Sequence, residues 1–350
     1  MSAQSQQFVS SLPASWYHDP EAYQRERKLI FARHWSVLAR EQELAEAGQY
    51  ASGAVAGWPV FVVRGDDGEL RAFHNVCRHR AGPVVSGESG RCDVLRCPYH
   101  GWSYGLDGGL KFAPGFEQDD ATTRKTMSLV SIRVATWNGI VFVCLDADVA
   151  PLREWLGDIV QIAQGFPSIP SMSFYGGVTN EGDLNWKAYS DNSAEGYHLG
   201  CVHKDLSASL VREHTDISAY ENGNFVGFRV VYKASSKRPQ SNGFWVYKFP
   251  GLLLHFSEYG FNLERITPLG PTRSRMERWF WFPDDGSVDE QDKDEAMLFS
   301  NRVMDEDLAI CLRVQNNLGA GIYQTGRLSC EREPGTVFFQ RLVREAMQQN

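Results

Sequence analysis

Four residues in one short window are of the types that bind soft metals. They are Cys77 with His79 and Cys97 with His100, in the segment CRHRAGPVVSGESGRCDVLRCPYHGW. Each pair sits on its own turn, and seventeen residues separate His79 from Cys97. Two thiolates and two imidazoles can close a tetrahedral zinc site, or they can hold a [2Fe-2S] cluster in which histidines replace two cysteines on one iron. Zinc ribbons usually repeat like with like, whereas here each turn delivers one sulfur and one nitrogen, as the mixed-ligand cluster needs. Pro98 stiffens the second turn, and Gly101 is expected to let backbone N–H groups approach the sulfides. Cys92, Cys144, Cys201, Cys311 and Cys330 lie outside the pattern and read as small apolar residues.

A second set lies in NWKAYSDNSAEGYHLGCVHKDL, where His198 and His203 are five positions apart. That spacing brings them near one face of a helix only if the helix is overwound or bulged. Two histidines and a carboxylate on a common face, with the opposite positions open, form the triad by which non-haem Fe(II) binds O2 and substrate together. The carboxylate must come from elsewhere in the chain. Asp307, in NRVMDEDLAICLRVQNN, precedes an apolar run and is expected to face inward; Asp305 and Glu306 are weaker candidates, and Asp191 and Asp205 remain open. Taken alone, the two histidines fit a solvated helix as well, and it is the first set that favours a metal.

The elements that must position these groups follow from length and pattern. The chain has 350 residues, 43% apolar and 22% charged, which excludes disorder and collagen-like structure and suggests two domains. A net charge of -8 offers phosphate backbones no general attraction, so no nucleic-acid partner is expected. The N-terminus lacks a basic, apolar leader pattern, and the longest apolar run, 140–145, is too short to span a bilayer. Cytoplasmic location without a membrane partner is the expectation, and seven cysteines then imply free thiols or metal ligands. Helical spacing over 20–35, with Asp19 as N-cap, gives way to short β-branched and aromatic runs punctuated by Gly-containing turns between about 38 and 148. A helical piece, LREWLGDIVQIAQGF, and a connector, PSIPSMS, precede a polar helix-like stretch over 185–203. Alternation over 224–282 predicts antiparallel strands in one sheet, and a long helix is expected over about 288–318. The fold class is therefore α+β, with an all-β domain beside an α+β domain.

With both sets in view, the chain resembles the terminal oxygenase (α subunit) of Rieske non-haem iron oxygenases, the ring-hydroxylating oxygenase superfamily. The resemblance rests on LPASWYHDPEAYQRERKLIFARHW, the C-x-H and C-P-Y-H-G-W pair, NWK, E-x-Y-H-x4-H and the late E-D element. It implies an N-terminal helical segment (1–37) packing on the catalytic domain, a Rieske [2Fe-2S] domain (38–150), and a helix-grip-like catalytic domain with an antiparallel sheet and long helices (151–350). By the same resemblance Cys77, His79, Cys97 and His100 match the cluster ligands, and His198, His203 and Asp307 match the Fe2+ ligands. Glu195 stands where the family has an acid that joins the first iron histidine to a cluster histidine of the neighbouring subunit, so His100 of one chain would face Glu195 and His198 of the next. Asn192 is placed with Glu195 in the catalytic set.

The resemblance implies hydroxylation of a small organic substrate with O2, by monooxygenation, N-demethylation or aromatic ring dihydroxylation. It also implies electrons from NAD(P)H through a separate reductase, with or without a ferredoxin, since no GxGxxG fingerprint occurs in a strand-to-helix setting. A homotrimer, or an α3β3 assembly, is the implied state. Glu at the bridge, where many aromatic-ring dioxygenases carry Asp, is similar to members acting on choline, glycine betaine, carnitine and proline betaine. A cationic substrate would want an aromatic box, for which Phe225, Phe228, Phe244, Trp245, Tyr247, Phe249, Phe256 and Tyr259 are candidates. The rival reading is a Rieske electron-transfer protein whose large domain binds a ligand or partner without catalysis; a zinc-stabilised binding module is a third.

Overall fold

A computed structural model describes residues 7–116, 118, 121–211, 216–235 and 237–349; the first six residues, part of the N-terminal stretch read above, lie outside the described residues. The chain divides into two compact units, Phe31–Trp155 and the combination of Met1–Ile30 with Leu156–Asn350.

In Phe31–Trp155 the short runs become strands because β-branched and aromatic residues suit a pleated, half-buried surface. Seven of them, β2 (Ser36–Arg40), β3 (Gln49–Val55), β4 (Trp58–Arg64), β5 (Leu70–His74), β6 (Ser89–Arg91), β10 (Ser131–Trp137) and β11 (Ile140–Cys144), form a sheet in the order β2-β11-β10-β5-β4-β3-β6. The apolar run singled out in the sequence is β11, and every one of its residues is buried. A smaller sheet of β7 (Leu95–Arg96), β8 (Ser103–Tyr104) and β9 (Leu110–Phe112) carries the second Cys-His turn between its first two strands.

The second unit opens with β1 (Phe8–Ser10), which pairs with β19 (Arg327–Ser329), and with helix α1 (Pro20–Leu29). Asp19 caps α1 by accepting from the Glu21 N–H at 2.8 Å. The helix ends six residues short of the expected 35, where the chain passes into the other unit. The helical piece after residue 151 is two helices, α3 (Leu152–Leu156) and α4 (Ile159–Ala163). Gly157 separates them at φ 58°, and a Cβ there would lie 2.5 Å from the Asn222 carbonyl oxygen, so no other residue fits.

The central sheet has seven antiparallel strands in the order β12 (Met172–Gly182), β18 (Arg273–Pro283), β17 (Gly260–Gly270), β16 (Leu252–Ser257), β15 (Ser241–Lys248), β14 (Phe225–Tyr232) and β13 (Asp216–Tyr220). Strand β12 was not legible in the sequence, because MSFYGGVTNEG has three glycines and little alternation; its long pairing with β18 creates it. Against the sheet runs α8 (Glu290–Gly319), capped by Asp289, which accepts from the Asp292 N–H at 2.7 Å. Its buried residues Met304, Asp307, Cys311, Gln315 and Leu318 recur every three or four positions, which makes one inward stripe and turns Asp307 toward the interior. A C-terminal helix, α9 (Pro334–Gln348), buries Phe338, Phe339, Val343 and Met347.

The NWK triplet explains how α5 (Trp186–Ser193) is held. Asn185 caps it by accepting from the Lys187 N–H at 2.9 Å, and the Asn185 N–H donates to Gln315 Oε1 of α8 at 2.9 Å. The Trp186 indole and the Lys187 ammonium both donate to Glu26 of α1, at 2.8 and 2.5 Å, and Lys187 and Glu26 are wholly buried. The polar stretch 185–203 is not one helix: it breaks after Ser193, resumes as α6 (Leu199–Val202), and continues as α7 (Lys204–Ser209). Among the described residues no helix is long and apolar enough to cross a membrane.

Candidate metal centres and substrate pocket

The two Cys-His turns of Phe31–Trp155 are built alike. The Cys77 N–H donates to the Gly82 carbonyl at 2.8 Å and the Cys97 N–H to the Trp102 carbonyl at 2.9 Å, so each turn is a closed six-residue loop. Ala81 and Gly101 bend the loops at φ 56° and 75°. Gly82 lies close to the second loop, where a Cβ would stand 3.0 Å from Cys97 Sγ. Tyr104 braces the first loop, with its hydroxyl 3.1 Å from Cys77 Sγ and accepting from the Arg78 N–H at 3.1 Å.

The rings of His79 and His100 lie 4.6 Å apart, and His79 stacks on Trp102 at 5.0 Å. Cys77 and Cys97 are buried, whereas His100 is exposed. His79 Nδ1 is buried and has no hydrogen-bond partner. An orphaned polar atom of this kind costs about 1–3 kcal/mol. Ligation to iron would satisfy it, and two buried sulfurs with two adjacent imidazoles are the donor set a mixed-ligand [2Fe-2S] cluster takes. The residues fit the group.

In the second unit the break in 185–203 is what brings the histidines together. His198 precedes α6 and His203 ends it, so the two flank one turn of helix with their rings 5.0 Å apart. Asp307 of α8 meets them: its Oδ1 lies 2.8 Å from His203 Nε2 and 3.5 Å from His198 Nε2. One donor atom from each of the three falls within 4.8 Å of the others, which is a ligand cluster for a single ion. The other candidate carboxylates are elsewhere. Asp305 faces Asn180 on the surface, Asp205 pairs with Arg302, and Asp191 is bound by Tyr17 and Gln340.

Each histidine is backed by a carboxylate on its other nitrogen. Glu195 Oε1 is 2.5 Å from His198 Nδ1, and Glu306 Oε2 is 2.7 Å from His203 Nδ1. Such partners put the ring proton on Nδ1 and leave the Nε2 lone pair for a metal. Asn192 donates to Asp307 Oδ1 at 2.5 Å and holds that carboxylate in place. Burial works to raise Asp307, but the hydrogen bonds of His198 and His203 outweigh it and hold the carboxyl at about 2. Burial likewise works to lower His198, and Asp307 and Glu195 overcome it, raising the imidazole to about 9. Three carboxylates around two imidazoles form a negative nest suited to a divalent cation. Glu306 is the member sequence reasoning had weighed only as a ligand; nothing in its spacing distinguishes the two roles.

Above the three donors is a cavity of about 270 Å³ walled by β14–β18, α8 and the 189–206 stretch. Of the aromatic box candidates, Phe228, Trp245, Phe256 and Tyr259 line it. The other four do not. Phe225 stacks on Tyr220, which also meets Phe244, while Tyr247 and Phe249 pack against Phe339 of α9. Strand pleating sends Phe244 and Trp245 to opposite faces, which a count of aromatics does not see. Tyr232, Phe280 and Phe299 line the cavity as well, and so do the polar residues Arg238, His255, Asn262 and Arg278, which sequence reasoning had not singled out.

Residues 171–349 match the family described as ring hydroxylating alpha subunit (catalytic domain), and residues 34–136 match the Rieske [2Fe-2S] domain. The choline monooxygenase, chloroplastic, of Spinacia oleracea is 30% identical over 93% of this chain and 76% of its own length. The carnitine monooxygenase oxygenase subunit of Acinetobacter pittii is 27% identical over 95% of this chain and 94% of its own. Among solved structures, the quaternary ammonium Rieske monooxygenase CntA in complex with L-carnitine superposes with a TM-score of 0.84 at 25% identity, covering 98% of this chain and 97% of that one. Naphthalene 1,2-dioxygenase from Rhodococcus sp. shares the fold, with a TM-score of 0.80 at 20% identity over 97% of this chain and 95% of that one.

Proposed function

The chain belongs to the Rieske oxygenases with a ring-hydroxylating α-subunit catalytic domain, and from that premise we propose that it is the terminal monooxygenase of a multicomponent system acting on a small quaternary ammonium or N-methyl compound. Its cofactors are a Rieske [2Fe-2S] cluster and a mononuclear iron. In this reading Cys77, His79, Cys97 and His100 hold the cluster, and His198, His203 and Asp307 hold the iron. A separate NAD(P)H reductase, with or without a ferredoxin, supplies electrons. The observation that carries the reading is the meeting of three donor atoms, each with its own polar support, beneath an aromatic-walled cavity. The rival electron-transfer protein would need neither.

When bound, the cluster supplies single electrons and the iron activates O2 to oxygenate the substrate. The residues of the chain do the rest. Glu195 and Glu306 keep the Nδ1 protons of His198 and His203, so both rings present Nε2 to the ion. Asn192 fixes the Asp307 carboxylate, which with His198 and His203 would hold the iron. The aromatic walls exclude water and favour a methylated cation by their negative faces. Oxygenation at an N-methyl carbon, using one O2 and two electrons and releasing water, would leave a carbinol whose C–N bond breaks to give formaldehyde and the demethylated amine.

The exposed His100 suits electron delivery to a second copy, with Glu195 linking the two metal sites across a head-to-tail ring of three. The test mixes copies carrying Cys97→Ser, which lacks the cluster, with copies carrying His198→Ala, which lacks the iron. Mixed rings recover a share of wild-type turnover of choline, glycine betaine or L-carnitine, measured as aldehyde, while each variant alone has none. No recovery overturns electron transfer between copies. A wild-type protein that leaves all three compounds untouched but forms a cis-diol from naphthalene overturns the substrate class.

A further inference from the structure

Five neighbouring side chains form one row on the wall of the cavity. Phe228 of β14 is paired in register with Trp245 of β15, Trp245 with His255 of β16, His255 with Asn262 of β17, and Asn262 with Phe280 of β18. All five line the cavity. Several polar groups around the row already have partners within the protein. The Trp245 indole donates to the Tyr232 hydroxyl at 2.9 Å, the Ser257 hydroxyl to the Gly260 carbonyl at 2.9 Å, the Ser193 hydroxyl to the Tyr189 carbonyl at 2.8 Å, and the Asn192 carboxamide to Asp307. Among the described lining residues, Asn262 Oδ1 is the one buried side-chain polar atom with no hydrogen-bond partner. A carboxamide oxygen only accepts, so what satisfies it is an N–H or an O–H. A buried acceptor left unmatched is costly, which makes that donor a criterion of selection.

The charges around the row admit a cation. Asp307 and Glu195, the carboxylates that line the cavity, offset a divalent ion at the metal site. Arg278 is paired with the buried Glu264, and Arg238 stacks over Tyr259 and binds Asp292 at 3.2 Å. Burial, with the charge of Arg278, pushes His255 down to about 3, so its ring is neutral at neutral pH. No unbalanced positive charge therefore faces the row, and the aromatic rings of Phe228, Trp245 and Phe280 attract a cation. A group that is at once a cation and a hydrogen-bond donor is a protonated amine.

Resting on the N-methyl cation reading above, we propose that Asn262 Oδ1 accepts a hydrogen bond from an N–H of the substrate cation, so that the site takes a protonated tertiary or secondary N-methylamine in preference to a quaternary ammonium. A nitrogen that carries four carbons has no hydrogen to give and leaves the acceptor unmatched. Asn262 stands beside Phe280 in the row and two strands from Trp245. Neighbouring strands are about 5 Å apart, so the acceptor lies within the aromatic patch itself, where the charged nitrogen rests, and not at a distant end where a hydroxyl on the substrate tail would reach it.

The test is isothermal titration of the anaerobic, iron-loaded full chain at neutral pH with trimethylammonium, tetramethylammonium and choline, the first two differing by an N–H against a methyl group. Wild type binds trimethylammonium about ten-fold or more tightly than tetramethylammonium. Asn262→Leu, or Asn262→Ala if the leucine variant does not load iron, removes the acceptor and abolishes that preference. Asn262→Asp, which keeps an acceptor oxygen, retains it; iron and cluster content per chain confirm that each variant is folded. Equal binding of the two cations by wild type overturns the proposal, as does an unchanged preference in the variant without the acceptor. Choline bound about ten-fold more tightly than trimethylammonium overturns it in favour of a hydroxyl donor. If wild type binds none of the three, the N-methyl cation reading fails by itself, and indole against indene, which lacks the N–H, decides the acceptor. A preference for indole of about ten-fold that Asn262→Leu abolishes upholds Asn262 as the reader of an N–H, and no binding or no preference ends it.

Discussion

In Phe31–Trp155 the four soft donors lie between residues 77 and 100, on two loops that close through their own backbone hydrogen bonds. In the other unit the donors come from segments 104 positions apart, and a carboxylate backs each histidine. The cores differ in the same sense. Among the described residues, the buried polar and charged side chains Glu26, Lys187, Lys248, Glu264, Arg278 and Asp307 all belong to the second unit, while the first buries only Ser103 in that class. A local loop can present thiolates with little help from its surroundings. A negatively charged triad built from distant segments needs helices held in register, and here buried ion pairs do the holding.

That difference predicts which perturbations stay within one unit. The largest effect is expected from His203→Ala or Asp307→Ala: oxygenation falls below detection while the absorption and reduced EPR signal of the cluster are unchanged. Cys97→Ser is its mirror image, abolishing the cluster spectrum and reductase-driven turnover while one iron per chain still binds. If either change removes both metals, the two units are not independent and the comparison breaks.

Glu26→Gln comes next. It leaves the Lys187 ammonium buried without its counter-ion and is expected to cost about 3–5 kcal/mol in urea unfolding followed in the second unit. The cluster spectrum reports whether the first unit is spared. Asp191 gives a pH signature confined to the same unit. Burial, opposed by hydrogen bonds from Tyr17 and Gln340, raises its carboxyl to about 6. A raised carboxyl means that its contribution to stability is fully present below the unfolded value near 3.8 and is lost as pH rises through 6. Asp191→Asn removes that loss, an effect on the order of 2–3 kcal/mol between pH 4 and 7, and flattens the pH dependence of unfolding. A profile identical to wild type would show that Asp191 is not the titrating group.

The smallest effect sharpens the comparison at the point where the two metal sites would communicate. Glu195→Gln keeps the hydrogen bond to His198 but loses the charge; turnover should fall about 10–100-fold with both metals retained. Stopped-flow oxidation of the cluster separates slowed electron transfer from a weakened iron site. Unchanged oxidation rates would confine Glu195 to orienting His198.

The Cys-His loops were legible because a turn brings residues two or three apart together whatever the rest of the chain does. Asp307 was legible only as one of several acids near the start of an apolar run; the inward stripe of α8 separates it from Asp305 and Glu306. The histidines, five apart, looked ill-placed on a helix, and a helix break after Ser193 resolves this. Half of the aromatic box candidates face away from the cavity.

Residue type and short spacing, by themselves, determined the all-β and α+β division, the soft-metal loops, the two histidines and the family resemblance, since these depend on local turn closure and on periods of two and 3.6 residues. Only the tertiary structure decided which acid meets the histidines, that Glu306 stands behind His203, and that His255 and Asn262 line one cavity. Those facts depend on how α8 lies against the sheet and on which strand neighbours which. Side chains from strands remote in sequence share one row only once the register is set, and no local pattern records that register.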